Sequence, residues 1–163
     1  MARGGRGVGL AALLGATLLA GCATTPEARF ASLGPLRAAL STSPDALRER
    51  ADRNDAQAQM ALSLLYQYGQ GGVEKDPVQA LVLRNRATAQ RGSTPITTYI
   101  AGINGKPGRV STIFVPRYDL SPGQAAFNVA CARALAEGDR SPESVEPCGG
   151  EQGYDQLAAG WKR

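Results

Sequence analysis

Asp55-Ala56-Gln57-Ala58-Gln59-Met60-Ala61-Leu62-Ser63-Leu64-Leu65-Tyr66-Gln67-Tyr68, then Gly69-Gln70-Gly71-Gly72, then Asp76-Pro77, decides how this chain folds. Ala56, Ala58 and Ala61 alternate with Met60, Leu62, Leu64, Leu65 and Tyr66. That spacing predicts a helix over 55–68 with one broad apolar face. The glycine run ends it. Asp76 followed by Pro77 opens a second helix, as a capping carboxylate and a proline at the first helical position. Its apolar positions Val78, Ala80, Leu81, Leu83 and Ala87 run to about Arg91, and Gly92 stops it. Two helices of similar length joined by a short glycine loop must pack antiparallel.

Working outward, Ser43-Pro44-Asp45 is a further helix start, opening a short charged stretch to Arg53. Leu33, Leu36 and Leu40 have helical spacing, but Gly34-Pro35 delays any helix there. Residues 23 to about 34 read as a tether. Downstream, Ile96 to Ala101 and Val110 to Val115 are β-branched and aromatic, flanking Asn104-Gly105-Lys106-Pro107-Gly108. This pattern predicts a β-hairpin whose second strand stops at Pro116. A lone hairpin is marginal in water, so it is expected to pack on the helices or to pair with a partner. Ser121-Pro122 opens another helix to about Ala136, offering Ala126, Phe127, Val129, Ala130, Ala134 and Leu135 for burial. Residues 141–150 read as loop. Tyr154 to Trp161 read as a last helical turn or two, with Trp161 as a packing anchor.

The amino end carries a separate message. Arg3 and Arg6 precede the apolar run Val8 to Ala20, which ends at Leu19-Ala20-Gly21-Cys22. Basic start, short apolar middle and small residues at the cut are the pattern of a secretory signal peptide, too short to span a membrane. Leu-Ala-Gly-Cys resembles the bacterial lipoprotein lipobox. The resemblance implies cleavage before Cys22, a thioether from its sulfur to diacylglycerol and further acylation of the new amino end. Two or three chains anchor stably, since each buried CH₂ contributes roughly 0.8 kcal/mol. Ala23 stands where aspartate would signal inner-membrane retention in enteric bacteria, so the resemblance implies the periplasmic face of the outer membrane.

A second resemblance lies in the helix pair. Ala56 through Leu62, Leu65-Tyr66, Tyr68 through Gly71, Val73, Lys75-Asp76, Ala80-Leu81 and Ala87 through Gly92 are similar to one Sel-one-like repeat, a tetratricopeptide-like helix pair. Ser63 stands where that family usually has glycine, and Gly72 lengthens the loop. Only one good copy is found, whereas repeats normally need about three to bury their faces. The copy must therefore be completed by flanking helices or by a partner protein.

The expected fold is mainly α, an antiparallel helix-hairpin repeat with a small β-hairpin and a disulfide-stapled C-terminal helix. The expected organisation is a signal peptide at 1–21, a lipidated amino end and tether at 22–42, a helical repeat region at 43–92, and 93–163 packed with it as one domain. Cys131 and Cys148 are the two cysteines beyond Cys22. In an oxidising compartment a lone pair usually joins, and no close Cys-x-x-Cys spacing suggests redox work.

The chain has no histidine. This excludes Ser-His-Asp and Cys-His catalysis and histidine metal sites. Its formal charge of +4 includes the two signal-peptide arginines, and no lysine-rich tract points to nucleic acid. Gly102 to Lys106 lacks the spacing and the Ser or Thr of a phosphate loop. Ser111, Thr112 and Ser121 have no evident base beyond Lys106. Glu143, Glu146 and Glu151 read as solvated loop acids, with paired-carboxylate attack on a glycan as the sharper alternative. No cofactor and no metal is expected. Leu65, Tyr66, Arg84 and Arg86 are the candidate partner-binding residues. The arginines suit the negative end of the second helix or an acidic partner. The expected function is a membrane-anchored module binding an envelope protein, not an enzyme. The alternatives are a carboxylate enzyme acting on peptidoglycan, or a structural lipoprotein without a discrete site.

Overall fold

The structure, a computed structural model, describes residues 25–161, so the expected signal peptide and the expected lipidation at Cys22 lie outside the described residues. Five helices open with the same short phrase, a small polar residue followed by proline. They are α1 (Pro26–Ser32), α3 (Pro44–Asp52), α5 (Pro77–Ala87), α6 (Pro122–Glu137) and α7 (Pro142–Val145). Proline's missing N–H costs nothing at a first turn, and in all of these but α7 the preceding side chain accepts a free N–H. Asp76 takes those of Val78 and Gln79 at 3.0 and 2.9 Å. Ser121 and Gln124 form a reciprocal capping box. The remaining helices are α2 (Gly34–Ser41), α4 (Ala56–Tyr68) and α8 (Gly150–Ala158), with a 3₁₀ turn at Glu146–Cys148. Strands β1 (Gly92–Ile100) and β2 (Arg109–Arg117) form one antiparallel ribbon, with Gly92 opposite Arg117 and Ile100 opposite Arg109. The mainly helical class and the small hairpin agree with the sequence.

Helix α4 is the axis of the fold. It is buried on nearly every side from Ala56 to Leu65, including Gln59 and Ser63. Gln59 Nε2 donates to the Ala51 carbonyl at 3.1 Å, and the Ser63 hydroxyl donates to the Met60 carbonyl at 2.7 Å. Two cores meet on it. Met60 and Leu64 join Leu33, Leu36, Leu135, Tyr154 and Trp161 on one side. Ala58, Ala61, Leu62 and Leu65 join Leu47 and Leu83 on the other. Helices α2, α3 and α5 all pack directly on α4. The inner side of the α4–α5 pair is therefore closed by the chain's own α2 and α3. The glycine loop runs at positive φ, with Gly69 and Gly71 both at 66°.

The segment read as a tether is largely part of the fold. Helices α1 and α2 occupy residues 26–41, and Leu33 and Leu36 are fully buried. Gly34-Pro35 splits the segment into two short helices, and its burial comes from distant elements, α2 packing on α4 and α6 and α1 on α6, α8 and the 3₁₀ turn, which the local pattern does not reveal. A second difference is at 141–150, where a turn of α-helix and a 3₁₀ turn replace the expected loop. Asp139 organises them, accepting from the Ser141 N–H at 2.9 Å and the Ser144 hydroxyl at 2.6 Å. Helix α5 ends at Ala87 and not near Arg91, because the Arg91 N–H already bonds the Arg117 carbonyl at the ribbon's base. Pro116 does not stop β2, since in a two-stranded ribbon each strand has a free edge where a proline removes no ladder bond.

The Cys131–Cys148 disulfide forms, with Cα atoms 5.0 Å apart and both residues fully buried. It pins the 3₁₀ turn to α6. Gly149, next in sequence, has φ 86°, and a Cβ there would lie 2.7 Å from the Pro26 carbonyl oxygen. Only glycine lets α1 approach so closely. Trp161 is buried edge-on against Tyr68, ring centres 5.5 Å apart, as the packing-anchor reading expects.

Asp55 sets the start of α4. Its carboxylate accepts from the Gln57 and Ala58 N–H groups at 2.9 and 3.1 Å and pairs with Arg50 at 2.8 Å. Burial pushes this carboxyl's pKa up, but Arg50 and the two N–H donors outweigh it and hold the pKa below its ordinary value. Asp55→Ala is expected to cost about 1–2 kcal/mol at neutral pH. A depressed pKa stabilises only where the unfolded carboxyl is ionised. The difference between wild type and variant should therefore shrink as pH falls below about 4. Urea denaturation of both proteins at pH 7 and pH 3 checks this.

Candidate functional site

The four residues singled out for partner binding do not share one surface. Leu65 is 1 % exposed and sits in the second core beside Leu47 and Leu83. It holds α4 to its neighbours and is not accessible to a partner. Tyr66 is half-buried, and its hydroxyl accepts from Arg48 Nε at 3.4 Å. Arg86 is exposed, whereas Arg84 is partly buried.

What the chain leaves open is the outer face of α5. Only Ala80, Leu83 and Ala87 of this helix are buried. Val78, Leu81 and Val82 are 74, 54 and 39 % exposed, and Asn85 and Arg86 continue the same stripe at i, i+3, i+4, i+7 and i+8. The sequence names Val78 and Leu81 among the apolar positions of this helix without separating covered from open ones. The signal that separates them is that α5 is apolar on two sides, while the described residues supply helices for only one.

Beside this stripe, α5 and α6 border an open groove of about 420 Å³. Ala125, Ala126, Val129 and Ala130 line its α6 side, with Arg84 and Arg133 also bordering it. Arg84 Nε is buried with no hydrogen-bond partner. Tyr68 lies near both arginines; burial raises its phenol pKa, and the two cations offset part of that rise.

The ribbon is the second open feature. It does not pack on the helices: of all its strand residues only Ser111 is partly covered. Alternation in the register puts Ile96, Ile100, Ile113 and Val115 on one face and Tyr99, Val110 and Phe114 on the other. Both faces are thus apolar and open. The Thr97 and Thr112 hydroxyls bond across the second face at 3.1 Å. The Arg91–Asp119 ion pair, 2.9 Å long, fixes the base. At the tip, Asn104 and Gly105 take φ of 54° and 77°, the turn chemistry expected of an Asn-Gly pair. Between Asp76 and Asp119 there is no Asp or Glu, against Arg84, Arg86, Arg91, Lys106, Arg109 and Arg117.

Of the acids considered for glycan chemistry, Glu146 and Glu151 border one cavity of about 410 Å³ together with Arg29. Glu146 is ion-paired to Arg29, which ties α1 to the 3₁₀ turn. Glu143 does not line that cavity. Among the described residues no cluster of three or more His, Cys, Asp or Glu is placed to hold a metal, and no helix is long and apolar enough to cross a membrane. Comparisons with protein-family models, with curated proteins and with solved structures found no match to this chain.

Proposed function

We propose that this chain is an exported bacterial lipoprotein, acylated at Cys22, that works as a protein-interaction or assembly module in the cell envelope. The observation that carries the proposal is the open stripe of Val78, Leu81 and Val82 on the outer helix of the α4–α5 pair. In a helix-pair solenoid a following repeat covers such a face, and the described residues supply none. The likeness of residues 51–92 to a single Sel-one-like repeat supports the same reading, as does an exposed apolar patch bordered by polar residues such as Asn85 and Arg86. The lipobox-like Leu19-Ala20-Gly21-Cys22 supports anchoring, with Ala23 favouring the outer membrane's periplasmic face. The module needs no cofactor.

Crosslinking of the intact protein in its membrane, with partners identified by mass, tests this. One stoichiometric envelope protein is expected. Its yield should fall at least about tenfold in Leu81→Glu, which changes an exposed side chain and leaves both cores intact. Leu65→Glu is unsuitable, since it would place a charge in the core. Unchanged crosslinking in Leu81→Glu and in Val82→Glu, both folded, would remove α5 as the docking face. Mass analysis of the mature amino terminus tests the anchor separately: a chain beginning elsewhere than acylated Cys22 refutes it.

A further inference from the structure

We infer that the β1–β2 arm is a docking element for an anionic lipid surface, its tip entering the headgroup layer while its cations meet lipid phosphates. The inference concerns a different surface from α5 and does not depend on the protein-partner reading.

Three observations select this occupant. The first is charge. The arm and the helix before it hold no acid between Asp76 and Asp119, and Lys106 and Arg109 lie at or beside the turn. A second copy of so uniformly basic an arm would be repelled, whereas an anionic bilayer attracts it. The second is shape. At the distal end Ile103 in the turn is 75 % exposed, Val110 68 % and Tyr99 66 %, while Ile100 faces the opposite side from Tyr99 and Val110. A projecting tip with apolar groups on both faces suits a fluid layer that closes around it. A protein partner would need a slot matching both faces. The third is the state of the edges. The register runs unbroken through Pro95 and Pro116, so the donors these prolines lack belong to the outer edges. Strand addition by another chain is thereby weakened on both sides. The arm cannot go deep, because its free edges carry backbone groups that need water. Tyrosine, short apolar side chains and flanking cations fit the interfacial layer instead.

The test uses the full mature chain, purified and combined with vesicles of phosphatidylcholine alone or of phosphatidylcholine with one quarter phosphatidylglycerol. An environment-sensitive fluorophore on Ile103→Cys reports the tip, and one on Glu49→Cys of α3 serves as control. Cys131 and Cys148 are joined and buried, and Cys22 is either acylated or, in chain prepared without lipid, replaced by Ser, so no other thiol competes for label. The readout is local, so it applies whether the chain reaches the vesicle through acylated Cys22 or from solution. The expected result is a blue shift and quenching by lipid-borne quencher at position 103 on anionic vesicles only, with position 49 unchanged. Lys106→Gln and Arg109→Gln should each lower the docked-to-free ratio about fivefold. A tip that stays in water on both vesicles overturns the inference, as does equal docking on neutral lipid. Protection of the tip that follows protein concentration without lipid would assign the arm to self-association instead.

Discussion

Asn128→Asp is expected to yield a protein that loses more stability, relative to wild type, at neutral pH than in mild acid. Asn128 is fully buried in α6 and joins three segments. Its Oδ1 accepts the Leu36 N–H at 2.9 Å, one of the free donors in the first turn of α2. Its Nδ2 donates to the Ser32 carbonyl at 3.2 Å, at the end of α1, and to the Gln124 carbonyl at 2.8 Å. The amide thus clamps the α1–α2 corner onto α6 from 92 residues away in sequence. An ionised aspartate still accepts from Leu36 but presents a bare, buried oxygen to two carbonyls. The cost at neutral pH should be about 3–5 kcal/mol. Protonation restores one donor, so the variant's carboxyl should titrate at a raised pKa in the folded state. A raised folded-state pKa means the recovered stability is fully present below the unfolded carboxylate value and is lost as pH rises. Asn128→Leu should cost about 2–4 kcal/mol with no such pH dependence, because it leaves Leu36 without its acceptor at every pH. Denaturation of the three proteins between pH 4 and 8 decides this. A gap for Asn128→Asp that is constant with pH, or below about 1 kcal/mol, would show that the clamp carries little of the fold.

Asn128 also marks where the sequence is legible and where it is not. The helix starts are local: Ser121-Pro122 and Asp76-Pro77 specify their own first turns, and both helices begin there. The choice of face is not local. Helix α6 is apolar almost all round, so its pattern offers Ala126 and Val129 as readily as Ala125 and Ala132. The fold buries the second pair more deeply. An asparagine amid such residues reads as a surface position until the α1–α2 corner is seen above it. The same holds for α1, whose few apolar residues say little until Gly149 and α8 lie beneath it. The open face of α5 was hidden for the opposite reason. A helix reading assumes that apolar positions are covered, and only the layout of the other helices shows that Leu81 is not. For the arm, composition gave the strands and the turn, but exposure on both faces follows only from the absence of helices packed against the ribbon.

The second large effect should come from the disulfide, and it should be uneven across the molecule. Joining Cys131 to Cys148, 17 residues apart, removes unfolded-chain entropy worth about 3 kcal/mol in the loop-closure picture. Cys131→Ala with Cys148→Ala is expected to lose about that much in denaturant titrations. What it loosens follows from the packing. The 3₁₀ turn at Glu146–Cys148 touches α1, α6, α7 and α8, so the bond anchors the piece that carries the first core's C-terminal side. The second core draws on α2, α3, α4 and α5 and contains nothing from beyond Leu83. Amide hydrogen exchange in the double variant should accelerate first in residues 139–161 and in 26–32. Amides of α3 and of the α4 face toward Leu47 should keep most of their protection. The disulfide sulfurs are buried, so reductant should act on the native protein only through opening of that C-terminal piece, and α4 should remain protected while it does. Equal loss of protection in α3 and α8 would mean that α4 couples the two cores into one cooperative unit. In that case the face of α5 available to a partner would also depend on the disulfide, although no residue of α7 or α8 lines it.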